Sequence, residues 1–243
     1  MKYKIINIAI TLIFFSSLSF AHHGKKYLVT GSYELPNPGS VHALLSSDYS
    51  VRFGQQSYSL EPGVLFGILR NVDVDIHTHN DVGEGVLNTE AISIESRIGI
   101  MGKFSESLEE EQENSVPFGM TFLMEYEKGL REHHDNFENR MIVGSEFGEF
   151  NVDMNLIWQH SFYSFGANEF RYAIGTKKTL FSVIGLGIEF DGDFQKLNST
   201  KMTPGIYFSP NEKFDVRFGT SLNIKSTTEN NVLRFALIYN VSE

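Results

Sequence analysis

The chain has 243 residues, with 20 Lys and Arg against 30 Asp and Glu, a formal charge of −10 and no cysteine. The acidic balance counts against nucleic acid as a partner. The lack of cysteine excludes a disulfide scaffold, and with it a lipoprotein anchor, which needs a cysteine at its cleavage site.

Residues 1–21 read as a secretory signal: Lys2 and Lys4 form a basic start, Ile5 to Phe15 an apolar run, and Ser19-Phe20-Ala21 a small-residue cleavage site. Residues 22–38 are expected to be irregular, with Pro36 and Pro38 as breakers, and residues 39–243 to form one all-β domain. No later segment is long and apolar enough for a membrane helix.

About twelve strand-like segments follow in order. The first two are Val41–Asp48 and Ser57–Leu69. Val72–His79 comes next, with Val72, Val74 and Ile76 on one face and Asp73, Asp75, His77 and His79 on the other. A polar loop is expected over Thr78–Gly85. Asn88–Lys103 then sets Ile92, Ile94, Ile98 and Ile100 against Ser93, Glu95 and Arg97. After the acidic join Ser105–Val116 come Met120–Tyr126, Phe137–Phe147 and Phe150–Gln159. Glu169–Lys177, a turn at Lys178-Thr179, Leu180–Phe190, Met202–Phe208, Phe214–Ile224 and Val232–Asn240 complete the series.

Short and long joins alternate almost throughout, with Ser105–Val116 as the exception, as in outer-membrane barrels with turns on the periplasmic side and loops outside. Phe104, Phe118, Phe147, Phe150, Phe181, Phe208, Phe214 and Tyr239 crowd the turn ends like an aromatic girdle. Alternation alone also fits a soluble sandwich. The second face separates the two, because it carries Gly99, Gly119, Gly144, Gly175, Gly185, Gly187, Gly205 and Gly219. Glycine weakens an exposed strand, whereas a confined lumen gives small residues a reason to be there. The expectation is therefore a transmembrane antiparallel β-barrel of about twelve strands in the outer membrane, with lipid as its surroundings.

Thr203-Pro204-Gly205-Ile206-Tyr207-Phe208-Ser209-Pro210, followed by Phe214-Asp215-Val216-Arg217-Phe218-Gly219, resembles a phrase of the MetA-pathway phenol-degradation, transporter-like outer-membrane family. Glu61-Pro62-Gly63-Val64-Leu65-Phe66-Gly67 looks like an earlier copy of it. The resemblance implies a barrel passing small, hydrophobic or aromatic solutes, and brings no catalytic residues.

Four acid-x-arginine pairs fall on the inner face: Glu95/Arg97, Glu138/Arg140, Glu169/Arg171 and Asp215/Arg217. They form a charge ladder that either neutralises buried charge or selects a solute electrostatically. Its mixed, net acidic character argues against polyanionic sugars. Asp73, Asp75, His77 and His79 are metal-ligand types, yet alternate residues lie about 6.6 Å apart, too far for one ion without neighbouring strands. They read first as polar lumen residues. A free amine followed by His22 and His23 is a chelating end for Cu(II) or Ni(II), with an incidental histidine terminus as the plainer reading. His160, Ser161 and Ser164 offer a base and a nucleophile, but adjacent residues face opposite sides of a strand and no oriented acid or oxyanion motif accompanies them. The chain is expected to be a channel or transporter rather than an enzyme, with a closed-lumen structural, metal-binding or partner-binding barrel as the alternative.

Overall fold

The computed structural model describes residues 27–52, 55–83, 86–102, 118–131, 133–163, 167–181, 183–196, 199–224 and 231–242. The signal segment, His22, His23, Phe104, Ser164 and the acidic join lie outside them.

Inward and outward side chains alternate along every strand, and the sheet they make closes on itself. The strands are β1 (Val41–Arg52), β2 (Gln55–Leu69), β3 (Val72–Gly83), β4 (Val86–Met101), β5 (Gly119–Gly129), β6 (Asn136–Phe147), β7 (Phe150–Ser161), β8 (Ala167–Phe181), β9 (Ile184–Asp193), β10 (Lys201–Asn211), β11 (Phe214–Asn223) and β12 (Val232–Ser242). Each pairs antiparallel with its sequence neighbours, and β1 pairs with β12 from Val41↔Ser242 to Ser50↔Val232. Closure removes every sheet edge, the condition for β-structure in a bilayer.

The outer face is apolar and exposed, including Ile68, Ile94, Ile100, Met154, Leu156, Ile174, Leu186, Ile206, Phe218 and Leu233. Water-soluble monomers rarely expose so large an apolar surface; in an outer-membrane barrel hydrocarbon covers it. Phe118, Phe147, Phe150, Phe181, Phe208, Phe214 and Tyr239 ring the end bearing the short turns, all exposed. That end is called the turn rim below, and the other the loop rim. Gly148 makes the β6–β7 turn at φ 62°, a left-handed conformation that glycine adopts without strain.

Two expected boundaries move. Thr78–Gly83 is strand rather than loop, because β3 stays paired with β4 from Thr78↔Ile92 to Gly83↔Val86. Polar residues on both faces mark where a strand leaves lipid, not where it stops. At 16 residues β4 is longer than the 9–11 or so that cross a bilayer. Lys178-Thr179 likewise belongs to β8, and the reversal comes after Phe181, which pairs with Ile184 past a bulge.

The described part of the irregular N-terminal segment lies inside the barrel. Tyr27–Ser40, called the strap, enters at the turn rim, where Gly39 N–H donates to Gly67 O (2.7 Å) and Gly67 N–H to Ser40 O (3.0 Å). It then runs across the lumen against the wall, with Tyr27, Thr30, Ser32, Tyr33, Glu34 and Leu35 buried.

Candidate functional site

The strap is held mainly through wall side chains. Glu189 accepts the amides of Leu28 (2.8 Å), Val29 (2.8 Å) and Thr30 (2.6 Å), and also the Tyr207 hydroxyl (2.9 Å). Successive amides converging on one carboxylate form an anion-binding nest. Asn155 acts as a substitute strand partner: its Oδ1 accepts from Gly31 N–H (2.7 Å) and its Nδ2 donates to Gly31 O (2.9 Å). Thr121 Oγ1 donates to Tyr33 O (2.7 Å), and Asp153 Oδ1 accepts from Tyr33 N–H (3.3 Å). Arginines reach the two ends, Arg97 Nη1 to Glu34 O (3.4 Å) and Arg217 Nη1 to Tyr27 O (2.9 Å).

Four of the inner glycines are sockets for this segment. A Cβ at Gly119 or Gly144 would lie 2.0 or 2.5 Å from the Tyr33 ring. One at Gly175 would lie 2.9 Å from the Tyr27 ring, and one at Gly219 2.6 Å from Leu28. Four of the wall positions stand opposite one another in register, as Gly119↔Gly144↔Asp153↔Gly175. The strap lies along this row.

Two further rows of the inner wall lie nearer the loop rim, and they reorganise the expected ladder. Asp75↔Glu95↔Glu125↔Glu138↔Gln159↔Glu169 is a nearly unbroken acidic row across β3 to β8. Beside it, on the turn-rim side, runs Asp73↔Arg97↔Leu123↔Arg140↔Ile157↔Arg171. Charges are therefore matched between rows and across strands as much as within strands. Three of the four expected pairs form as read: Arg140 to Glu138 (2.6 Å), Arg217 to Asp215 (2.9 Å) and, more loosely, Arg97 to Glu95 (3.7 Å). Arg97 makes its closest ion pair with Asp73, directly opposite. Arg171 reaches past β7 to Glu138 (2.7 Å), while Glu169 takes Lys196 (3.2 Å).

His77 and His79 lie beside the acidic row with their rings 4.9 Å apart. Neighbouring strands supply what β3 alone lacks. Glu125 Oε1 lies 3.4 Å from His77 Nε2 and 3.9 Å from His79 Nε2, and Glu127 Oε2 lies 3.4 Å from His79 Nε2. Asp73 is on the strap side, committed to Arg97, and Asp75 bonds His77 Nδ1 (3.3 Å). Strand alternation exposed the two histidines and two aspartates; Glu125 needed the register between β3, β4 and β5.

Among the described residues, cavities lie in the lumen above the strap, two of them larger than a third of about 100 Å³ beside Leu28, Asp48 and Arg234. One of about 230 Å³ has Tyr27–Gly31 as its floor and Leu44, Leu123, Ile142, His77, His79 and Glu125 among its walls. The other, of about 460 Å³, opens toward the loop rim between Arg140, Arg171, Lys196, Lys201, Asp191 and Asp193. His160 and Ser161 make no joint site: His160 packs against Trp158 and Phe162 and bonds Asn168 (2.9 Å), while Ser161 donates to Asn136 (2.5 Å).

No family model matches the chain, and no curated protein matches it. The likeness to the MetA-pathway family therefore rests on the two phrases quoted above. Solved structures do share the architecture. The KdgM porin in complex with disordered oligogalacturonate is 9% identical over 82% of this chain and 99% of that one, with a TM-score of 0.54. The NanC porin is 10% identical over 80% and 98%, with a TM-score of 0.55. Outer membrane phospholipase A from Escherichia coli is 7% identical over 90% and 94%, with a TM-score of 0.50. At such identities the likeness carries the fold, a twelve-strand barrel of outer-membrane porin type, and no activity.

Proposed function

We propose that this barrel is an outer-membrane passage for small solutes, with the strap as its internal closure. One observation carries the reading: between Tyr27 and Tyr33 the strap's amides donate to side chains of the wall rather than to a paired strand. Water can replace such bonds one at a time, so the strap is separable from the barrel in a way that a thirteenth strand would not be. The cavities above it already provide a polar entrance from the loop rim. Porin architecture in the KdgM and NanC neighbours supports a passage. Oligogalacturonate, which accompanies KdgM in that structure, fits this wall poorly. From β3 to β8 the acidic row stands nearer the loop rim than the arginines and favours cations there, while Lys196 and Lys201 beside Asp191 and Asp193 give the neighbouring loop-rim cavity mixed charge. Leu44, Leu123 and Ile142 give the inner cavity an apolar side suited to small amphipathic solutes.

Planar-bilayer recording of the full chain tests this. Small, cation-selective openings are expected, and loosening the strap with Glu189→Ala plus Asn155→Ala should raise their size or frequency severalfold. Closed bilayers with both proteins, each folded by gel shift, would overturn the passage reading and leave a structural barrel.

A further inference from the structure

We propose that His77, His79 and Glu125 form a binding site for one divalent transition-metal ion of the zinc kind, inside the lumen. The inference does not depend on whether solutes pass. Three observations meet here.

The first is convergence. Nitrogen or oxygen ligands of a tetrahedral zinc ion lie about 2.0–2.2 Å from it, which puts them about 3.3–3.6 Å from one another. Glu125 Oε1 stands 3.4 Å from His77 Nε2 and 3.9 Å from His79 Nε2, and one ligand atom from each of the three residues falls within 4.8 Å of the others. Small rotamer changes close the set around an ion. Glu127 Oε2, 3.4 Å from His79 Nε2, is placed as a further donor.

The second is outer support. Both imidazoles are anchored through Nδ1 on a carboxylate, His77 on Asp75 and His79 on Glu61, each at 3.3 Å. Carboxylate–histidine pairs of this kind orient metal-ligating imidazoles, fix the tautomer and leave Nε2 as the lone-pair donor. Asp75 is fully buried, so its hold on His77 is part of the packed wall.

The third is charge. Asp75, Glu95, Glu125 and Glu138 stand directly opposite one another, an arrangement that costs stability unless it is compensated. Arg97 and Arg140 answer the ends nearest to them, through Glu95 and Glu138. The Glu125 stretch faces the histidines. One dication between the two rings, whose centres lie 4.9 Å apart, meets the acidic row at this point. Imidazole donors select zinc-like ions over magnesium or calcium, which take oxygen ligands. The cavity at the site leaves a coordination position open to water or a solute.

Equilibrium dialysis of detergent-folded full chain, with His22 and His23 replaced by alanine, should find one saturable Zn²⁺ per chain that equimolar Mg²⁺ does not displace. Affinity should fall at least a hundredfold in His77→Gln plus Glu125→Gln, and about 10–100-fold in Asp75→Asn. A second arm leaves this wall unmutated: Zn²⁺ should protect His77 and His79 from diethyl pyrocarbonate while exposed His133 still reacts, read by peptide mass spectrometry. Displacement by Mg²⁺, unchanged binding in the double variant, or no protection of His77 and His79 would each overturn the site.

Discussion

Arg217 and Arg171 carry the same group into different surroundings. Arg217 is 1% exposed, grips Asp215 through Nε (3.0 Å) and Nη2 (2.9 Å), and spends Nη1 on the strap. The Arg171 side chain is 38% exposed and faces the loop-rim cavity, bonded to Glu138 and Gln159. Removing Arg217 takes a two-pronged ion pair from the buried Asp215 carboxylate, which costs about 3–5 kcal/mol. Removing Arg171 costs about 0–1 kcal/mol, because water screens what remains. Equilibrium unfolding of Arg217→Ala and Arg171→Ala in lipid vesicles should show that order; equal losses would mean that both arginines are equally wet. The spacing of acid and arginine two apart was legible along each strand. The partner choice was not, because a residue directly opposite is nearer than one two places along, and opposition depends on register. Asp73↔Arg97 is the clearest case.

At the scale of the element, the strands could be read from alternation because one face meets lipid and the other a crowded interior. The strap could not. Pro36 and Pro38 marked it as irregular, yet nothing within residues 22–38 says where irregular chain goes. The signal was in the wall, where Gly119, Gly144, Gly175 and Gly219 leave space that Tyr27, Leu28 and Tyr33 fill. Gly119→Ala should therefore expel the strap and spare the barrel, since its Cβ would fall 2.0 Å from the Tyr33 ring. Glutamyl-protease cleavage after Glu34, which is buried in the folded chain, reports the event. The folded protein should resist cleavage there, Gly119→Ala should be cut, and adding Tyr33→Ala should restore resistance. Equal resistance in all three would show that the socket is not tight.

For the whole molecule, a closed wall with an apolar girth and an aromatic turn rim predicts recovery with outer membranes and faster gel migration unheated than boiled. Recovery as a detergent-free periplasmic monomer would contradict it. The architecture was legible because strand count, join parity and outer face agree; the closure inside was not, since it depends on residues brought together from opposite ends of the chain. Arg217 and Tyr27 are 190 positions apart. That separation bears on the order of folding. The strap runs directly into β1, and β1 is also the strand that seals the barrel against β12. Its anchors are spread over β4, β5, β7, β9 and β11, so a flat or half-curled sheet offers it only a few at a time. Contacts of such long range form late, after their loop-closure entropy has been met. Seating the strap and sealing the seam thus both fall late, and the strap is taken up by a wall that is already closing around it.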